Sequence, residues 1–126
     1  MALGRAIEVN EAFRLLKDPI RRAEALLARR GVAGGEGKEP PASPALLMEV
    51  MERREALAEI RHSKDEAALE RVISEVGQIE QRTQAALASE FAFESPNPAE
   101  ILKRIGELRY YRRFLDEAAS IADDLL

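Results

Sequence analysis

Four of the seven glycines and three of the six prolines of this 126-residue chain fall between Gly31 and Pro44 (GVAGGEGKEPPASP). Glycine there weakens any regular element, and each proline removes a backbone donor. The stretch reads as a flexible linker over 31–43. It divides the chain into a short part, 1–30, and a longer one, 44–126. Each must find its hydrophobic partners in its own pattern or in the other.

Both parts read as helical. In the short part Leu3, Ala6, Phe13 and Leu16 recur at helical steps, with Ile7 and Val9 beside them, which predicts a helix over 1–17. Asp18-Pro19 ends it and opens a second helix, with Asp18 as cap and Pro19 at the first helical position. That helix carries Ile20, Ala23 and Leu27 on one face and stops at Gly31. Beyond the linker, Ser43-Pro44 opens a helix to about residue 61, with Leu46, Val50, Leu57 and Ile60 as its core seam. Ser63-Lys64-Asp65-Glu66 reads as a capping box with Ser63 as the cap. The helix it starts holds Leu69, Val72, Val76, Ile79, Thr83 and Ala86 in a three-four alternation. Asn97-Pro98-Ala99-Glu100 opens the last helix, whose stripe is read as Ile101, Ile105, Leu108, Leu115, Ala119, Ala122 and Leu126. The fold class is all-α: a short helical hairpin, then an up-down-up three-helix bundle joined by short turns.

Composition narrows what such a bundle does. Without cysteine there is no disulfide, thiolate metal site or cysteine nucleophile. A net charge of −4 lacks the concentrated basic surface of a nucleic-acid binder. No stretch is long and apolar enough to span a membrane, and the first residues carry no secretory pattern, so the expected location is the cytoplasm. His62 stands at a turn with no nucleophile or orienting carboxylate placed with it. The carboxylates interleave with Arg and Lys at helix-surface spacing, as in Glu66, Glu70 and Arg71. Glycines 31–37 lack the Lys-Ser/Thr of a phosphate loop. Arg21-Arg22, Arg29-Arg30 and Arg112-Arg113 read as solvated basic spots. No enzyme, cofactor or metal site is expected.

What remains after the core is assigned is apolar. On the 44–61 helix, Leu47 and Met51 fall about 100° from the seam, with Arg54 below them and Met48, Glu52 and Glu55 further round. On the last helix, Tyr110, Phe114 and Ile121 lie off the stripe as read. Mirroring the helices about their turns puts Phe114 level with about residue 52. Phe114, Leu47 and Met51 are therefore expected on one exposed apolar surface edged by charge, the usual composition of a protein-partner site. Wide buried stripes, or packing of the hairpin on this face, are the alternative.

Two segments resemble a known family. Val9 to Pro19 (VNEAFRLLKDP), followed by Arg22-Ala23-Glu24, resembles the last two helices of a J-domain. Leu47 to Glu55 (LMEVMERRE), then Ala58-Glu59-Ile60 and Arg112 to Glu117 (RRFLDE), is similar to the C-terminal domain of HscB-type co-chaperones of iron–sulfur cluster biogenesis. The resemblance implies a J-domain followed by a three-helix bundle that binds the cluster-assembly scaffold protein and presents it to a specialised Hsp70. By position it implies a partner site of Leu47, Met48, Met51, Glu52, Arg54, Glu55 and Phe114. J-domains act on Hsp70 through a His-Pro-Asp tripeptide, whereas here His62 precedes Ser63 and Lys64. The chain reads as starting within the third J-domain helix. It is thus expected to keep scaffold binding without stimulating Hsp70. A structural module that self-associates through an exposed N-terminal hairpin is the second reading.

Overall fold

A computed structural model of the chain describes residues 18–34, 39–93 and 95–125; the helix expected over 1–17 lies outside the described residues. Its helices are α1 (Pro19–Ala28), α2 (Pro44–Ser63), α3 (Glu66–Ala92) and α4 (Pro98–Leu125). The starts follow the caps. Asp18 accepts from the N–H groups of Ile20 (3.0 Å) and Arg21 (3.4 Å), and Ser43 Oγ accepts from Leu46 N–H (3.1 Å). Asn97 Oδ1 accepts from Ala99 N–H (3.0 Å). Gly31 takes the left-handed φ of 78° that ends the turn after α1. One cap differs from the sequence reading. Ser63 is the last residue of α2, and Asp65 caps α3 by accepting from Ala68 N–H (3.0 Å). The reason is backbone geometry: α2 continues two residues past the expected stop, and Asp65 has the extended φ and ψ a cap needs.

The core has two parts. One gathers Leu46, Val50, Leu57 and Ile60 of α2, Leu69 and Val76 of α3, and Tyr111, Phe114, Ala118 and Ile121 of α4. The other joins Ile20, Ala23 and Leu27 of α1 to Leu87 of α3 and Ile101, Ile105 and Leu108 of α4. The 10-residue α1 is too short to persist alone and is held by this second part. α4 serves both parts with different sides. Its buried residues advance from Ile101 to Ile121 by four, three, three, three, four and three positions. At about 100° per residue, that carries the buried side about 160° round the helix.

This rotation overturns the stripe read for the second half of α4. Ala119 is exposed and Leu115 and Ala122 are half-buried, while Ile121 is buried; Leu126 lies outside the described residues. Phe114, expected on the surface, is 2% exposed. The physical cause is a change of neighbour: α1 packs on the first half of α4 and α2 on the second, so one fixed stripe cannot serve both.

The linker is tied down at both described flanks. Val32 N–H donates to Leu27 C=O (3.0 Å), and Ala42 packs against the larger core part. Arg109 of α4 donates from Nη2 to Glu24 (2.8 Å) and from Nε to Glu39, so one guanidinium holds α1 and the linker together. Burial alone would weaken its hold on the proton; Glu39 and Glu24 outweigh that and raise its pKa. Arg112 Nη1 donates to Asp18 (3.0 Å) beside it.

Candidate partner-binding face

The site begins at the Ser43 cap. With Pro44 at the first helical position and Leu46 and Val50 turned into the core, the first turns of α2 are fixed in rotation. Leu47, Met48 and Met51 then face solvent, 43%, 63% and 62% exposed. Every other described large apolar residue of α2 is buried. Exposed apolar groups gathered on one helix face, rather than scattered, are the mark of a protein-contact surface.

Charge frames this face. Arg54 Nη2 meets Glu117 of α4 at 3.3 Å, and both are half-exposed. Arg61 and Asp124 repeat the contact two turns on, at 3.1 Å, with the same sequence offset of 63. These pairs mark the register of the parallel helices α2 and α4, in which Phe114 is level with Met51, close to the level expected from the sequence. The level is right and the side is not: Phe114 points inward, into the core part that holds Leu46 and Val50. Glu52 and Glu55 are exposed. Arg53, one position from Arg54, turns the other way to Glu49 (3.3 Å) and Glu75 (3.7 Å).

The structure thus brings together six of the seven residues singled out, Leu47, Met48, Met51, Glu52, Arg54 and Glu55, and removes Phe114 from the surface. It adds Glu117, which lies in the Arg112 to Glu117 segment that carries the resemblance but was not among the expected site residues. Its signal is the 63-residue offset between parallel helices, visible only once their level is known. The rest offers little chemistry. His62 is exposed, and among the described residues no group of His, Cys, Asp or Glu is placed to hold a metal ion. No described helix is long and apolar enough to cross a membrane. Tyr111 is buried beside this region; burial, then Glu49 and Glu107, raise its pKa, which keeps the phenol protonated.

Comparison with known proteins agrees with this architecture. Residues 42–119 match the family model described as the HSCB C-terminal oligomerisation domain. The chain is 31% identical to the co-chaperone protein HscB homolog of Shewanella frigidimarina, over all of this chain and 74% of that protein. It is 33% identical to the homolog from Vibrio campbellii, over all of this chain and 73% of that one. The solved structure of chaperone HscB from Vibrio cholerae superposes with a TM-score of 0.83 at 31% identity, covering all of this chain and 72% of that one. Matched by the family model from the linker through most of α4, and by these relatives along its whole length, the chain belongs to the HscB family of co-chaperones.

Proposed function

We propose that the outer face of α2 holds the scaffold protein on which iron–sulfur clusters are assembled, as the cargo-holding part of a co-chaperone that serves a specialised Hsp70. The observation that carries the reading is the gathering of Leu47, Met48 and Met51 on solvent, beside a seam that buries every other large apolar residue of the same helix. The roles follow from physical character. Leu47 fills a shallow depression in the partner. The unbranched Met48 and Met51 adapt to its shape. Arg54, braced by Glu117, and the carboxylates of Glu52 and Glu55 set orientation at the rim. Phe114 supports the face from behind by packing in the core beneath α2.

Titrating the cluster-free scaffold into the 126-residue protein in a calorimeter tests this. The wild type gives a saturable heat, and Leu47→Ala with Met51→Ala weakens binding at least about tenfold at unchanged helicity. Equal affinity in the double variant rejects the site. The His-Pro-Asp tripeptide does not occur in these 126 residues. Single-turnover hydrolysis by the Hsp70 therefore stays at its basal rate when this polypeptide is added; a J-protein-like acceleration contradicts that part.

A further inference from the structure

The linker ends in a strap, Glu39 to Ser43, laid along α4 immediately before the first turn of the α2 face. Between Glu39 and Leu47 the chain contains Pro40, Pro41 and Pro44, each with its φ fixed, so the strap is a stiff lever rather than a loose tether. Residues 40–42 make no hydrogen bond among the described residues; what holds the strap is Glu39 on Arg109 and the packing of Ala42. The Glu39 side chain is only 10% exposed. Gly106, one turn before Arg109, leaves the room: a Cβ there would come within 3.3 Å of the Glu39 Cβ. Between strap and α4 runs a cleft of about 530 Å³ whose wall includes Leu46 and Tyr111. The seat of the strap therefore meets the larger core part where α2 begins.

We infer that Arg109 and Glu39 are positioning residues for the partner face: their ion pair seats the strap, and the seated strap orders the start of α2 that carries Leu47, Met48 and Met51. The inference rests on the scaffold-binding reading above. Neither residue touches the partner. Each acts on the fraction of molecules in which the first two turns of α2 are formed and correctly rotated. A start of α2 formed about one-third of the time weakens apparent affinity about threefold. Glu24 shares the same guanidinium but reaches it from α1, so it serves as the matched control.

Three variants of the full chain test the assignment. Glu39→Gln is expected to speed amide hydrogen exchange at residues 46–50, leave α3 unchanged, and weaken scaffold binding about threefold. Glu24→Gln is expected to leave both readings as in the wild type. The third pairs Glu39→Cys with Gly106→Cys; the Cβ separation of 3.3 Å lies a few tenths of an ångström from the disulfide range, and the natural chain has no cysteine to interfere. Oxidised, it keeps slow exchange and wild-type affinity; reduced, it behaves as Glu39→Gln. Failure of the disulfide to form, or equal exchange and affinity in the two redox states, overturns the inference. If the wild type itself does not bind the scaffold, the proposed function fails, and the exchange data still decide whether the pair orders α2.

Discussion

α2 and α4 lie side by side and parallel, yet they use their surfaces differently. Along α2 the buried residues Leu46, Val50, Leu57 and Ile60 drift about 40° round the axis, so one side faces the core from end to end and the other is free. Along α4 the buried side turns about 160°, because α1 covers one half and α2 the other. An apolar residue off the seam of α2 is therefore on the surface, as Leu47 and Met51 are. One off an extrapolated seam of α4, such as Phe114, is still inside. The same local pattern has opposite meanings according to whether a helix keeps its neighbours.

The strongest way to break that contrast is Phe114→Ala. It empties a fully buried site and is expected to cost about 3–5 kcal/mol of stability, read by urea unfolding. Met51→Ala, level with it on the neighbouring helix, should change stability by no more than about 0.5 kcal/mol, because its side chain already faces water. Equal costs at the two positions would mean that the assignment of inside and outside is wrong.

The tie between α1 and α4 is next in size. Asp18→Ala removes a cap and a partner of Arg112 and is expected to cost about 1 kcal/mol. Acid should do the same in part. Burial pushes the Asp18 carboxyl up, but the N–H of Arg21, the Arg112 guanidinium and the N–H of Ile20 prevail and hold it below its ordinary value of 3.8. Its stabilising contribution is thus complete above that value and is lost as pH falls through the lower folded-state value. Amide exchange over 19–28 at descending pH should show α1 loosening in the wild type, with the pH dependence flattened in Asp18→Ala. The smallest effect belongs to Arg61→Ala: its pair with Asp124 is well exposed and should be worth no more than about 0.5 kcal/mol, falling with added salt.

What could be read in advance follows the same division. Elements opened by Asp18-Pro19, Ser43-Pro44 and Asn97-Pro98 were legible because each start combines a cap with a fixed φ. The α2 seam was legible because its neighbours do not change, and with it the exposure of Leu47 and Met51 on the opposite side. Phe114 was misplaced because three successive three-residue steps, from Ile105 to Phe114, admit either a turning stripe or a straight one through Leu115, and only the docking of α1 decides between them. Ser63 was misread as the cap of the following helix because the capping-box pattern does not reveal that α2 runs on through Ser63, which leaves the role to Asp65. The ion pairs of Arg109 were not legible at all, since Glu24 and Glu39 come from segments 85 and 70 residues away.

The chain has three methionines, and two of them, Met48 and Met51, lie in the proposed site. Methyl NMR of methionine-labelled protein during titration with the unlabelled cluster-free scaffold therefore observes the face directly. The Met48 and Met51 methyl signals are expected to shift or broaden in proportion to bound scaffold. Saturating scaffold that leaves both signals unmoved would contradict the proposed site.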